Sequence, residues 1–183
     1  MISHITLPPE LLAAASNLEE RFRILGVSTR KVPLAEWSVL PEAAQNLVPT
    51  WLPTLLADFR LLGGVLECAN NKDDATWPRY FGFIEPKSYQ TIFQANDYCW
   101  NEEIFKEGLV PISFEADGDL WVTSSQDGPS SPIYLFSLTG MEKIFASARI
   151  ALLMTSMAVS AESYNSFGKP DEPHSVMWQP GKE

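Results

Sequence analysis

Histidine and cysteine are the side chains that most often bind metal ions or activate a nucleophile, and this chain has two of each. His4 and His174 lie near opposite ends of the sequence, and Cys68 and Cys99 are far apart and form no CxxC motif. A zinc site needs a cluster of such ligands. A Ser-His-Asp or Cys-His arrangement would depend on a terminal histidine, whereas a catalytic base is normally held on a rigid scaffold. The sequence therefore predicts neither a metal site nor a nucleophilic active site.

Carboxylates are the other residues whose spacing could support catalysis. Residues 67–127 contain twelve acidic side chains, and two carboxyl groups that face each other can hydrolyse a glycosidic bond. No pair stands out, so a carboxylate-based hydrolase is an alternative that requires a deep cleft, two converging carboxyl groups and a raised pKa. Asp117-Gly118-Asp119 resembles the start of a calcium loop, but the later Gly and Glu of an EF-hand are absent, and a turn explains it better.

The net charge of −10 is concentrated in the middle third of the chain. Residues 1–66 and residues 128–183 each carry a net charge of −1, whereas residues 67–127 combine twelve acids with four bases and carry −8. A field of this sign repels nucleic acid and membrane phosphates and attracts basic partners. Acidity can also serve solubility alone. The charge thus indicates a class of partner, a basic protein.

Composition indicates a globular protein of the cytoplasm. Hydrophobic residues make up 45% of the chain and aromatic residues 11%, which is typical of a chain with a packed core. No apolar run reaches the roughly 18 residues that a membrane-spanning helix needs. The N-terminus lacks the basic start and apolar stretch of a signal peptide, and two cysteines make a disulfide framework unfavourable. We therefore expect one cytoplasmic domain without a membrane segment.

Three short β-rich runs in the second half of the chain predict an antiparallel meander. They are Pro111 to Phe114, Leu120 to Thr123 and Ile133 to Leu138. Asp117-Gly118 between the first two suits a tight hairpin turn, and Asp127-Gly128-Pro129 suits a longer turn before the third. The apolar face of such a sheet has to be covered by helices from elsewhere in the chain.

Apolar residues at steps of three and four predict the helices that cover this face. The expected helices span residues 7–25, Thr50 to Leu62, and a segment that starts at Thr139, where Glu142 completes a capping-box spacing. A short helix is also expected from Pro86 to Phe93.

Prolines that interrupt the chain, and a run of aromatic residues further on, predict the remaining segments. We expect an extended piece at Leu34 to Val39, a turn or short helix at Glu42 to Leu47, and a strand at Arg79 to Ile84. The whole pattern indicates an α+β fold in which helices back an antiparallel-rich sheet on one side. It is interpreted as a single domain over residues 1–183, with a core at 50–158, a helical extension at 1–48 and an irregular tail at 164–183.

The order of these segments resembles the SMI1/KNR4, or SUKH, superfamily over residues 50–158. The resemblance rests on short motifs in a fixed order. They are Gly63-Gly64 after a helix, the strand Phe81-Gly82-Phe83-Ile84, the segment NEEIFKEGLVPI at 101–112, Gly118-Asp119-Leu120-Trp121, and Pro132-Ile133-Tyr134 before the last helix.

This resemblance implies an α+β fold without a catalytic centre or a cofactor. Many bacterial members look like immunity proteins that bind and neutralise a cognate polymorphic toxin, frequently a nuclease. Yeast-type members are regulatory binding proteins of cell-wall synthesis. The first role agrees with the acidic middle third, because a nuclease carries a basic cleft that an acidic inhibitor can occupy. We therefore expect a monomeric or homodimeric immunity protein, and an adaptor or scaffold for an endogenous partner is the alternative.

The partner-binding surface is expected on the acidic loops of the middle third, with two tryptophans as anchors, because aromatic side chains are enriched in interface hot spots. Its candidate residues are Asp73, Asp74, Trp77, Asp97, Trp100, Glu102, Glu103, Glu107 and Asp127. Gly118 and Asp119 match the family motif and are assigned a structural role.

Overall fold

A computed structural model describes residues 2–63, 66–67, 80–87, 89, 107–114, 119–137 and 140–158 of the 183-residue chain. In this part of the chain, four helices precede an antiparallel sheet and one helix follows it. The helices are α1 (Pro9–Ile24), α2 (Leu34–Ser38), α3 (Glu42–Gln45), α4 (Trp51–Asp58) and α5 (Ala148–Ala158). The strands are β1 (Leu66–Glu67), β2 (Tyr80–Phe83), β3 (Leu109–Phe114), β4 (Leu120–Ser124), β5 (Ile133–Ser137) and β6 (Gly140–Phe145). The predicted α+β class is confirmed.

The six strands form one antiparallel sheet in chain order. The meander predicted from the three β-rich runs is confirmed as strands β3, β4 and β5, and the strand expected at Arg79 to Ile84 is β2. The expected turn before β5 contains a 3₁₀ turn at Gly128–Ser130, and the φ angle of Gly128 is 75°. The other predicted turn, Asp117-Gly118, lies outside the described residues.

Alternating side chains of β3 to β6 point to two faces of the sheet, as strand geometry requires. The inner face packs on the helices and carries Ile112, Trp121, Ile133 and Phe145. The rings of Trp121 and Phe145 lie 5.1 Å apart between centroids, in a tilted arrangement. This contact joins the centre of the sheet to its last strand.

Helix α1 buries the apolar stripe that its sequence predicts, and it packs against α5. Leu11, Ala15, Leu18 and Phe22 are all buried, at steps of four, three and four. Gly26 follows the helix with a φ angle of 69°, the conformation that glycine adopts at least cost. None of the described helices is both long and apolar enough to cross a membrane.

The helix expected to start at Thr139 is a wrong prediction. Residues from Gly140 to Phe145 form β6, in which Met141 lies opposite Phe136 and Glu142 lies opposite Leu135. The capping-box spacing is a local signal, and pairing with β5 overrides it. Helix α5 begins later, where the Ser147 hydroxyl accepts a hydrogen bond from the Ile150 N–H at 3.4 Å and so caps the helix.

Two segments before the sheet also differ from the sequence prediction. The piece expected to be extended at Leu34 to Val39 contains helix α2, because a single turn after Pro33 buries Trp37 completely. The helix expected to reach Leu62 ends at Asp58, and the backbone of Phe59 is extended. There, Leu62 exchanges two backbone hydrogen bonds with Arg30, at 2.8 and 3.2 Å, which a continuous helix could not form. The segment expected to be a turn or short helix at Glu42 to Leu47 contains helix α3.

Tyr89 connects the helical layer to the sheet. Its side chain is fully buried, and its ring lies 5.6 Å from that of Trp37, measured between centroids. Its hydroxyl donates a hydrogen bond to the Pro111 carbonyl of β3. A buried phenol loses the hydration of its ionised form, and this desolvation raises the pKa of Tyr89 strongly. Pro86, Lys87 and Tyr89 are helical, and the rest of the helix expected there lies outside the described residues.

The glycine at position 63 is expected to contribute more to stability than the glycine at position 26. Both have positive φ angles, but a Cβ atom on Gly63 would lie 3.3 Å from the Ser28 carbonyl oxygen, whereas a Cβ on Gly26 meets no atom within 4 Å. Gly26→Ala should lower the free energy of unfolding by about 1 kcal/mol, and Gly63→Ala by about 2 to 3 kcal/mol. Urea unfolding of both variants measures the difference, and equal losses would contradict the contact argument.

Replacement of Tyr89 by phenylalanine should change both stability and its pH dependence. The lost hydrogen bond should cost about 1 to 2 kcal/mol at neutral pH. The folded-state pKa of Tyr89 is raised, so the unfolded state releases this proton first, from about pH 10 upward. Wild-type stability is therefore complete below pH 10 and decreases above it by up to about 1.4 kcal/mol per pH unit from this residue.

Chemical denaturation between pH 8 and 11.5 checks this difference. Tyr89→Phe should show a shallower decline above pH 10 than the wild type. Tyr134→Phe, at a half-buried tyrosine on the opposite face of the sheet, is the matched control. Parallel pH profiles of wild type and Tyr89→Phe would refute the assigned role.

Candidate functional site

The structure brings together the two predicted partner-binding residues that it describes. Glu107 precedes β3 and Asp127 follows β4, and both side chains are exposed. The other seven predicted residues lie outside the described part of the chain. They are Asp73, Asp74, Trp77, Asp97, Trp100, Glu102 and Glu103.

Antiparallel pairing of β3 and β4 places Glu107 and Asp127 at the same end of the sheet. Leu109 lies opposite Ser124, which sets the register at this end. The Ser125 N–H donates to the Gly108 carbonyl oxygen at 3.1 Å, and its hydroxyl donates to the same oxygen at 3.3 Å. Gly108, which follows Glu107, and Ser125, two residues before Asp127, are thereby held together.

The turn after β4 orients Asp127. The Ser124 hydroxyl accepts hydrogen bonds from the N–H groups of Gln126 and Asp127, both at 3.2 Å. This side-chain-to-backbone pattern is a common turn device for serine. It satisfies two backbone donors of the turn and leaves the Asp127 carboxylate in solvent. We call Glu107 and Asp127 the acidic end of the sheet.

No basic side chain of the meander compensates these charges. Between Lys106 and Lys143 the sequence contains six acidic residues and no lysine, arginine or histidine. Strands β3, β4 and β5 all fall within this stretch. The meander is therefore a source of negative potential, which falls off over about 10 Å at 0.1 M salt.

Two basic residues of the N-terminal half, Arg23 and Arg30, are paired with nearby acids. Arg23 donates two hydrogen bonds to Glu20, at 2.6 and 2.7 Å. Arg30 donates to Glu36 at 2.8 Å and lies 3.5 Å from Glu85. The hydrogen bonds to Glu36 raise the pKa of Arg30, so this guanidinium stays charged. Residues 1–66, which form α1 to α4, are therefore nearly neutral, whereas residues 67–127 are acidic.

The described residues contain no group of three or more histidine, cysteine or acidic side chains that could hold a metal ion. His4, one of the two histidines, lies 3.1 Å from Asp58 in an exposed pair on the helical side. The other histidine and both cysteines lie outside the described residues.

The outer face of the sheet carries a second apolar cluster that the sequence analysis did not identify. Leu109, Leu120 and Val122 are buried there, and Tyr134 and Phe136 are half-buried beside them. The signal was present in the sequence, because β4 and β5 have apolar residues at both alternating positions, which is typical of strands covered on both faces. The outer face continues to β6, where Met141 is 43% exposed.

Comparisons of this chain with protein-family models, with curated proteins and with solved structures find no match. The SMI1/KNR4 resemblance therefore stays a prediction from the motifs in the sequence.

Proposed function

We propose that this chain is a non-enzymatic immunity protein that binds a basic toxin domain, such as a nuclease, and blocks its substrate site. The observation that carries the proposal is the charge of the meander, whose strands and turns contain acidic but no basic side chains. Glu107 and Asp127 are exposed at one end of the sheet, and no base occurs between Lys106 and Lys143. A toxin that binds nucleic acid needs a positive cleft for phosphates. An acidic protein surface is complementary to such a cleft.

Electrostatic attraction also suits the task of an immunity protein, which has to capture its toxin before the toxin acts. Complementary charge accelerates association by steering the encounter, and this effect weakens as salt screens the field. The net charge of −10 and the acidic end of the sheet both support this mode of association. The alternative of a regulatory adaptor involves a partner other than a toxin, so partner identity separates the two roles.

The test uses purified products of the genes that flank the gene of this protein, each mixed with the wild-type chain. A basic toxin domain should bind, and its toxic activity should be lost in the complex. Binding of a flanking product that is not toxic would favour the adaptor role. If no flanking product binds, the immunity role is refuted.

Neutralisation of the acidic end should slow association with the toxin. The double variant Glu107→Gln/Asp127→Asn should reduce the association rate constant by about 3- to 10-fold at low salt, and the effect should shrink above 0.3 M salt. Stopped-flow mixing at several salt concentrations measures both quantities. The dissociation rate should change less, because exposed rim charges act mainly on encounter.

Glu10→Gln/Glu42→Gln is the matched control, because it removes the same charge from two exposed glutamates in the first turns of α1 and α3. If both double variants slow association equally, only the net charge matters, and the acidic end has no special role.

A further inference from the structure

Helix α5 carries a row of apolar side chains on the side opposite its buried residues. The row recurs at steps of three, one and three residues, which places its members on one side of a helix. Three of its side chains are half-buried and Met157 is 70% exposed. We call this row the outer stripe of α5, and it consists of Ile150, Leu153, Met154 and Met157. A helix whose outer side faces only water carries polar residues there.

The hydroxyl groups of α5 lie on the buried side instead. Thr155 and Ser156 are both buried, and they donate hydrogen bonds to the carbonyl oxygens of Ala151 and Leu153, each at 2.8 Å. Arg149 is the one charged residue in the sequence of α5, and it is exposed. Polarity is thus reversed relative to a helix at a solvated surface, which indicates that a further apolar segment covers the outer stripe.

The chain itself supplies such a segment. Residues 159–183 follow α5 directly and lie outside the described residues. The stripe from Ile150 to Met157 is about 10 Å long, at 1.5 Å per residue. A chain of nine residues, the separation of Phe167 from the end of α5, spans about 17 Å on average, and one of twenty residues, to Trp178, about 25 Å. Both aromatic side chains can therefore reach the stripe.

Charge favours the same occupant. Residues 159–183 contain four acids and two bases, so their net charge is −2, whereas α5 contributes the positive charge of Arg149. Two of the acids, Asp171 and Glu172, lie between the two aromatic residues in sequence. An exposed ion pair contributes at most about 1 kcal/mol, so the apolar contact is the larger source of affinity.

A second copy of this chain is a weaker occupant of the stripe. The four side chains offer on the order of 300 Å² of apolar surface, whereas a standard interface buries about 800 Å² on each partner. A segment linked to the helix also has an effective concentration in the millimolar range. It therefore covers the stripe at an affinity too weak to hold two copies together at micromolar concentration.

We propose that residues 159–183 fold back along α5 and cover the outer stripe, with Phe167 and Trp178 as apolar anchors. The segment acts as an intramolecular strap that shields this side of the helix from a second copy. The strap is independent of the toxin-binding role, which involves the sheet.

Methionine oxidation by hydrogen peroxide tests the strap, because the rate of oxidation follows the exposure of the side chain. Peptide mass spectrometry of the full chain compares Met157 with Met141, which is 43% exposed on the sheet. Met157 should oxidise more slowly than Met141 in the wild type, at all protein concentrations. This order reverses the order of their exposed fractions, and it needs no variant. Faster oxidation at Met157 than at Met141 would overturn the proposal.

Removal of both anchors should expose the stripe. Phe167→Ser/Trp178→Ser should raise the oxidation rate of Met157 by about five-fold or more and leave that of Met141 unchanged. Ser166→Ala/Gln179→Ala, at two polar residues beside the anchors, is the matched control and should leave both rates unchanged. Thermal unfolding verifies that both variants fold.

Two other results would assign the stripe to a different occupant and overturn the strap. Protection of Met157 that disappears when the wild type is diluted would identify a second copy. Protection that survives the loss of both anchors at every concentration would identify another part of the chain.

Discussion

Burial of the inner face of the sheet is the constraint on which the rest of this structure depends. Trp121 and Phe145 are apolar side chains on that face, and they stay out of water because helices cover them. Burial of apolar area contributes roughly 25 cal/mol per Å², which makes it the main favourable term in folding. The helices α1, α4 and α5 bury their own stripes in the same core. Neither layer could hide its apolar residues alone.

Buried hydrogen bonds fix how segments that are distant in sequence pack on each other. The Tyr89 hydroxyl reaches the Pro111 carbonyl, and the Thr54 hydroxyl accepts a hydrogen bond from the Ile5 N–H at 3.1 Å. Both side chains are fully buried, so each bond satisfies a group that would otherwise be costly. Hydrophobic burial is non-directional, whereas each of these hydrogen bonds forms only in one relative position of the two segments that it joins.

Among the residues that the structure describes, no charged side chain is buried, and the charges at the surface are distributed unevenly. Arg23 and Arg30 are paired with acids on the helical side. The meander has no such bases, and its carboxylates at Glu107 and Asp127 face solvent. The negative charge therefore lies mainly on the side of the meander.

Local patterns were sufficient where one segment forms its own structure or pairs with its neighbour in sequence. The stripe of α1, the positive φ at Gly26 and the strands β3 to β5 were all predictable, because helical periodicity and adjacent hairpins are encoded within short stretches. Glu107 and Asp127 were identifiable as candidates by charge. Their position at one end of the sheet came from the register of Leu109 with Ser124, which only the folded chain shows.

Tertiary structure decided the segments whose local signals were weak or competing. Thr139 and Glu142 have a capping-box spacing, yet residues 140–145 form β6, because they pair with β5 and because Phe145 packs beside Trp121. Helix α4 ends early because Leu62 pairs with Arg30, far away in sequence. Sequence alone determined the composition of each face and the sign of the charge. The pairing of distant segments determined which of these residues meet, since contacts between distant residues outweigh propensities of a few tenths of a kcal/mol per residue.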